Sequence, residues 1–264
     1  MSFIIITRKL PLWNNKTMKD WNMFRIADLS IQMEKCPYKT FPTIAKDYIC
    51  EGETVDLHIE VSESDIDYEY SQSVGEFSRD YVHSIATCRK LAEKVPFYNA
   101  ILLHSACFDV DGVGVAFAAH SGTGKTTHMR LWQEYLGKRM TIVNGDKPIV
   151  RFFHENHAAE GESGAFPYAY GTPWNGKEHY GCNMRTPLKH ICFIERAEQN
   201  SCEPMSSSEA VDRIMNQVYM PSDPQALLNT IRLIDRLIHS CSLWRICCNM
   251  EPDAAKVAYH TIFG

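Results

Sequence analysis

The sequence lacks the long apolar and long basic runs that mark two large classes of protein. No apolar run approaches the roughly 18 residues that a membrane span needs, so a membrane protein is not expected. The net charge is −5 and no long basic run occurs, which argues against nucleic acid as a partner. The apolar run at the start is short and precedes Arg8 and Lys9, unlike a secretion signal. The protein is therefore expected in the cytoplasm.

Metal-binding cysteine pairs are missing too. The chain has ten cysteines and eleven histidines, but no C-x-x-C pair and no spacing that matches a zinc knuckle. Reduced, mostly buried cysteines are the expectation for a cytoplasmic protein. The chain of 264 residues shows no internal repeat or low-complexity tract, and its length suits one large α/β domain or a large and a small one.

What the sequence does contain is a glycine-rich loop between an apolar run and a helical run. The apolar run covers residues 113–119, and the loop continues as Ser121, Gly122, Thr123, Gly124, Lys125, Thr126 and Thr127. This is the layout of a phosphate-binding P-loop, with Ala119 in place of the first glycine. The loop is expected to bind ATP, with Lys125 on the β/γ-phosphates and Thr126 on Mg²⁺. The alternative is a chance glycine-rich turn.

Asp146 is the candidate carboxylate for such a site. It follows the apolar run 141–143, at a distance from Lys125 that accommodates one helix and a return strand, so it is predicted to hold the metal or the nucleophile. The alternative is a plain turn, because Asn-Gly-Asp is itself a turn signal. Lys177 is a candidate contact to a phosphate or an anionic acceptor, or else a surface lysine. His104, at the end of an apolar run, reads by itself as a core or edge residue.

The periodicity predicts an α/β fold with flanking helices, preceded by a small α+β region. A twisted mixed sheet is expected to carry the glycine loop. We predict an N-terminal extension (1–22), the α+β region (23–98) and a nucleotide-binding, kinase-like domain (99–264). Local signals predict a strand over 24–33, an acidic loop or edge at 63–69, strands at 100–109 and 112–119 joined by a hairpin turn, and a functional loop at 155–181. Helices are predicted over 78–94 and 125–136, after Ser206 and after Asp223.

Together, Leu102-Leu103-His104, the segment 111–115, the glycine loop and Gly145-Asp146 resemble the catalytic domain of HPr kinase/phosphorylase. The loop is also similar to that of ATP-dependent phosphoenolpyruvate carboxykinase. The resemblance implies that His104 supports the catalytic acid and that Asp146 matches the second member of an Asp-Asp pair, whose first member is Gly145 here. It also implies homo-oligomers.

The sequence thus predicts ATP-dependent phosphoryl transfer to a serine-like hydroxyl on a protein, peptide or small molecule. Lys125, His104 and Asp146 are the predicted catalytic residues, and Thr126 and Asp146 the predicted Mg²⁺ ligands. One alternative is a regulatory or scaffold module that binds ATP with weak catalysis or none. The other is carboxykinase-like chemistry.

Overall fold

A computed structural model describes residues 21–52, 54–73, 75–120, 122–153 and 167–264. Of the predicted N-terminal extension, only Trp21 and Asn22 fall within these ranges, and they begin the first strand. Part of the predicted functional loop at 155–181 also lies outside the described residues. Among the described residues, no helix combines the length and the apolar character that crossing a membrane would require.

The described residues form twelve strands and seven α-helices. The strands are β1 (Trp21–Ile26), β2 (Leu29–Glu34), β3 (Leu57–Ile59), β4 (Ala100–Leu102), β5 (Ala106–Val110), β6 (Val113–Ala118), β7 (Met140–Asn144), β8 (Ile149–Arg151), β9 (Tyr168–Tyr170), β10 (Arg185–Arg196), β11 (Ser201–Pro204) and β12 (Ser242–Cys248). The helices are α1 (Phe41–Ile44), α2 (Glu63–Gln72), α3 (Arg79–Lys94), α4 (Lys125–Leu136), α5 (Ser207–Met215), α6 (Pro224–Ser240) and α7 (Asp253–Phe263).

The larger sheet is mixed, as predicted. Its strand order is β4-β8-β9-β10-β6-β5-β7, and β12 and β11 continue from β10 on a branch. The long strand β10 runs parallel to β6 and β12 and antiparallel to β9. Helices α5 and α6 cover one face of the sheet and α4 and α7 cover the other. Alternate residues of β6 therefore point to different layers, Ala116 toward α5 and α6 and Phe117 toward α4 and α7.

The smaller sheet has the order β1-β2-β3, and its core is continuous with part of the larger one. Ile31 of β2 and Leu91 of α3 share one buried cluster with Ile149 of β8 and Tyr170 of β9. Trp174, which follows β9, is buried in the same cluster and donates a hydrogen bond from Nε1 to the Ser84 carbonyl at 2.9 Å. The division at residue 98 stays a prediction, but the two parts pack against each other through apolar side chains.

Several local predictions are confirmed. Helix α3 begins after Ser78, whose side chain accepts a hydrogen bond from the Tyr81 backbone, and helix α4 ends at Gly137. Asp111 and Gly112 join β5 to β6 with φ angles of 51° and 87°, the left-handed pair that a tight hairpin turn needs. Helix α5 begins after Ser206, as predicted, and a capping box between Ser206 and Glu209 closes its first turn.

Three local predictions are wrong. The strand over 24–33 is a hairpin, because Ala27 and Asp28 adopt φ angles of 52° and 58° and reverse the chain. The strand over 100–109 is split into β4 and β5, which pair with β8 and with β6 and β7 respectively. The acidic stretch 63–69 is helical in α2, whose first turn is closed by a capping box between Ser62 and Asp65.

Candidate functional site

A cleft of about 920 Å³ opens between the described part of the glycine loop, residues 122–127, and the segment 173–179. Eight of the predicted site residues line it: His104, Gly122, Gly124, Lys125, Thr126, Thr127, Asp146 and Lys177. Thr123 belongs to the same loop, and Ser121 lies outside the described residues. Side chains that are far apart in the sequence thus converge on one cavity.

The glycine loop joins the end of β6 to the start of α4. Gly122 and Gly124 have φ angles of 78° and 119°, which only glycine adopts freely, and a Cβ atom at either position would meet no heavy atom within 4 Å. The loop surface is therefore open. Gly124 is the N-cap of α4, so the first backbone N–H groups of that helix are available to an anion.

Arg196, at the end of β10, donates hydrogen bonds to the glycine loop. Its Nε donates to the Thr123 carbonyl at 3.0 Å, and its guanidinium also donates to the Gly122 carbonyl. Two loop carbonyls are thus bound from one side by a planar donor. No local pattern predicts this contact, because it joins residues that are more than 70 positions apart.

Lys125 is buried, with an exposed fraction of 8%. Its Nζ donates to the Ala119 carbonyl at 2.8 Å and lies 3.3 Å from His104 Nε2. Burial lowers the pKa of Lys125; the charge of Asp146 acts in the opposite direction, and that of Lys147 adds to the fall. An ammonium group has three donors, so Lys125 can bind the loop carbonyl and still reach a phosphate oxygen.

Backbone hydrogen bonds place His104 opposite Asp146. The Leu103 and Ser105 amides donate to the carbonyls of Pro148 and Asp146, each at 3.0 Å. The break between β4 and β5 therefore turns the His104 ring toward the carboxylate, and its Nε2 lies 3.2 Å from Asp146 Oδ1. The sequence alone did not predict this pairing; the resemblance did.

Asp146 sits in a turn organised by Asn144, at the end of β7. Asn144 is fully buried, and its Oδ1 accepts hydrogen bonds from the amides of Asp146 at 2.9 Å and Lys147 at 2.7 Å. Its Nδ2 donates to Thr172. The turn that Asn-Gly-Asp predicts is therefore present, and it presents the carboxylate to the cleft rather than to bulk solvent.

Lys147 is a site residue that the sequence did not predict. Its Nζ donates to Asp146 Oδ2 at 2.8 Å, and it lines the same cleft. Burial alone would lower the pKa of Lys147, but the charge of Asp146, the hydrogen bond to Asp146 and the nearby Cys88 and Tyr81 together raise that pKa. Burial alone would likewise raise the pKa of Asp146, but the His104 hydrogen bond and the Lys147 charge hold it well below its usual range.

Gly145 leaves no room for a second carboxylate. A Cβ atom at this position would lie 2.9 Å from the Asn175 carbonyl oxygen and 3.2 Å from the Tyr180 carbonyl oxygen. Its amide also donates to Tyr180 at 2.8 Å. The segment that carries Lys177 therefore packs over Gly145, and Asp146 is the carboxylate that the turn offers to the cleft.

Comparison with solved structures finds a remote likeness. The HPr(Ser) kinase/phosphatase from Coxiella burnetii is similar at 14% identity, over 52% of this chain and 90% of that chain, with a TM-score of 0.23. No protein-family model and no curated protein sequence matches the chain. The functional assignment therefore rests on the geometry of the site itself.

The residues of the cleft fit Mg²⁺ carried by a nucleotide better than a metal held by protein alone. Among the described residues, no group of three or more His, Cys, Asp or Glu side chains is arranged around a common point. Mg²⁺ in nucleotide sites needs only one or two carboxylates beside phosphate oxygens and water. The Thr126 hydroxyl and the Asp146 carboxylate are hard oxygen donors on the same cleft, and they would suit such an ion.

Proposed function

We propose that the protein is an ATP-dependent kinase that transfers the γ-phosphoryl group to a hydroxyl of a serine-bearing protein, peptide or small molecule. The observation that supports it best is the line of contacts from Lys125 through His104 to Asp146 beside the open glycine loop. It puts a buried cation, an oriented carboxylate and a helix N-terminus on one cavity, which are the parts that phosphoryl transfer requires.

In this proposal the loop amides and Lys125 bind the phosphates of ATP. The Asp146 carboxylate accepts a hydrogen bond from the acceptor hydroxyl and orients it toward the γ-phosphorus. The acceptor oxygen forms its bond to phosphorus while the bond to the β,γ-bridging oxygen breaks, and the hydroxyl proton passes to Asp146. A bound Mg²⁺ would supply neutralisation of the phosphate charge. A carboxylate can accept about four hydrogen bonds, so His104 and Lys147 leave Asp146 capacity for the acceptor.

The low pKa of Asp146 indicates whether this carboxylate acts mainly as a base or mainly by orienting the hydroxyl. A carboxylate held far below its usual pKa is a weak base, so it contributes little driving force for removing a proton. Phosphoryl transfer passes through a loose transition state in which the proton leaves late. Orientation of the hydroxyl is therefore the main contribution that we assign to Asp146.

The proposal is tested by labelled ATP, Mg²⁺ and cell extract or synthetic serine peptides. Asp146→Asn is expected to lower transfer by at least about 100-fold while ATP still binds. Lys125→Met is expected to weaken ATP binding by roughly 10-fold or more, since a charge-assisted hydrogen bond is lost. Asp235→Asn and Lys138→Met, two exposed positions, are the matched controls. If the wild type moves no label and Asp146→Asn leaves nucleotide turnover unchanged, the kinase proposal is wrong.

The second candidate is a module that binds ATP and transfers nothing. It is favoured by the closed packing around Gly145, which limits the turn to the single carboxylate of Asp146. Tight ATP binding without transfer or hydrolysis, together with a partner that co-purifies, would support this alternative. Loss of binding in Lys125→Met is expected in both cases, so the Asp146→Asn assay separates them.

A further inference from the structure

Three aromatic side chains from the N-terminal part of the chain line the cleft. They are Tyr38, Phe77 and Tyr81, here called the aromatic wall. The rings of Tyr38 and Tyr81 meet edge to face at 5.4 Å, and those of Phe77 and Tyr81 stack at 5.4 Å with an interplanar angle of 29°. The wall is thus one continuous aromatic surface that opens into the same cavity as Lys125 and Asp146.

The aromatic wall is fixed by α3 and by the segment that follows β9. Tyr81 lies in the first turn of α3, where its amide donates to the Ser78 hydroxyl at 3.2 Å. One turn later, the Ser84 carbonyl and hydroxyl accept hydrogen bonds from Trp174 Nε1 at 2.9 and 3.2 Å. Since Trp174 also lines the cleft, the wall is held at a set distance from the segment that covers Gly145.

The aromatic wall lies on the side of the cleft that carries Asp146 and Lys147. The charges of Lys147 and Asp146 both act on the Tyr81 hydroxyl, whose pKa burial raises. At the outer end, the Phe77 side chain is 41% exposed. When a ligand covers such an exposed ring, apolar surface is removed from water, and this favours binding. Pairs of aromatic rings also prefer offset or edge-to-face contacts.

The cleft is large for a small-molecule site, and its lining reaches beyond the glycine loop. Sites for one small molecule measure roughly 300–1,000 Å³, and this cavity of about 920 Å³ is at the upper end of that range. The lining extends from Gly122 and Thr127 of the glycine loop to Asp146, Tyr38 and Phe77, so the phosphate-binding end and the aromatic wall share one cavity. That cavity is bounded by the aromatic wall and not by charged side chains alone.

We propose that the aromatic wall is the binding subsite for the phosphoryl acceptor, and that the acceptor carries an aromatic or large apolar group next to its hydroxyl. The proposal rests on the kinase function proposed for the cleft and names its substrate class. A serine beside an aromatic residue in a peptide and a small aromatic alcohol share this chemistry.

The test uses the full chain and three probes: acetylated, amidated dipeptides Phe-Ser and Gly-Ser, and phenethyl alcohol. Binding is measured by saturation-transfer NMR with and without a non-hydrolysable ATP analogue, and transfer is measured separately with labelled ATP. The variants are Phe77→Ala and, as matched control, Phe97→Ala, whose ring is 52% exposed and belongs to the turn after α3.

We expect the Phe-Ser probe to bind more tightly than the Gly-Ser probe, and Phe77→Ala to reduce that preference by about 3–10-fold. Phe97→Ala and the affinity for the ATP analogue are expected to stay within about twofold of the wild type. Stronger binding of the peptide than of phenethyl alcohol would identify a peptide acceptor, and the reverse would identify a small molecule.

Equal binding of the two peptides to the wild type, with no binding of phenethyl alcohol, would overturn the proposal. So would a loss of ATP-analogue affinity in Phe77→Ala, since the wall would then hold the nucleotide base. If the Phe-Ser preference is present but no label is transferred, the wall binds as proposed and the kinase function fails. The two failures are therefore distinguishable.

Discussion

His104 Nε2 lies 3.2 Å from Asp146 Oδ1 and 3.3 Å from Lys125 Nζ, so one ring nitrogen faces two partners. It cannot donate to the carboxylate and accept from the ammonium group at the same time. The carboxylate can only accept, whereas Lys125 has the Ala119 carbonyl at 2.8 Å as another acceptor. The arrangement that satisfies all three groups therefore has the proton on Nε2, donated to Asp146.

We expect His104→Leu to slow transfer on the order of 10–100-fold, because Asp146 loses the donor that orients it. The ATP dissociation constant should change little, so the loss should appear in kcat rather than in KM. His104→Gln, which keeps a donor, should recover part of the activity. His239→Leu, which changes an exposed histidine near the end of α6, is the control, and equal losses in both leucine variants would contradict this role.

Gly145→Ala should reduce the free energy of unfolding by about 1–3 kcal/mol, as overpacking usually does. The added methyl group would lie 2.9 Å from a backbone oxygen, which cannot move aside as a flexible side chain can. Gly52→Ala is the matched control, because a Cβ there meets nothing within 4 Å. Urea unfolding of the two variants measures the difference, and similar midpoints would show that the segment over Gly145 yields easily.

The elements that the sequence predicted correctly are those that depend on short-range patterns. The hairpin turn needs two adjacent residues with positive φ, and Asp111-Gly112 supplies them. The glycine loop and the start of α4 follow from the order of residues 119–127 in the same way. Asp146 follows β7 and lines the cleft, and its role toward the metal or the nucleophile stays a prediction.

The failures come from long-range contacts. Helix α2 was missed because its acidic residues suggested solvent, yet Asp65 and Glu69 pair with Arg89 of α3 at 2.9 and 2.5 Å. Lys147 was missed although it follows Asp146 directly, since only the tertiary structure shows its ammonium group against the carboxylate. The aromatic wall joins Tyr38 to a site built from residues over 60 positions away, which no local pattern can indicate.

Lys147→Met should destabilise the fold by about 1–3 kcal/mol, since it leaves the half-buried carboxylate of Asp146 with one donor fewer. Removing the charge of Lys147 should also raise the pKa of Asp146. The expected result is a lower urea midpoint at pH 7 that approaches the wild-type midpoint only below about pH 4, where the carboxylate gains a proton in the unfolded chain. Lys177→Met changes an exposed lysine at the same cleft and should have no such effect.

His128 should make the stability of the protein depend on pH. Its ring is 2% exposed beneath the glycine loop, and its Nε2 accepts a hydrogen bond from Trp132 Nε1 at 3.3 Å. Burial lowers the pKa of His128 to about 4, whereas an unfolded histidine titrates near about 6.5. Between these values the unfolded chain binds more protons than the folded one, so the free energy of unfolding should fall as the pH drops from 6.5 to 4.

Each unit of pKa shift corresponds to about 1.4 kcal/mol. The lowered pKa of His128 should therefore reduce the free energy of unfolding by roughly 3 kcal/mol between pH 6.5 and pH 4. His128→Leu should remove the contribution of His128 to the pH dependence. It should also lower the free energy of unfolding at every pH, because Trp132 loses its hydrogen-bond acceptor. Burial also lowers the pKa of His190 to about 4 and lowers the pKa of His58, so the variant should keep at least about half of the dependence. His239→Leu, whose side chain is 65% exposed, should keep all of it. Urea unfolding at pH 7, 6 and 5 measures the slopes, and an unchanged slope in His128→Leu would mean that His128 gains a proton without leaving its buried site.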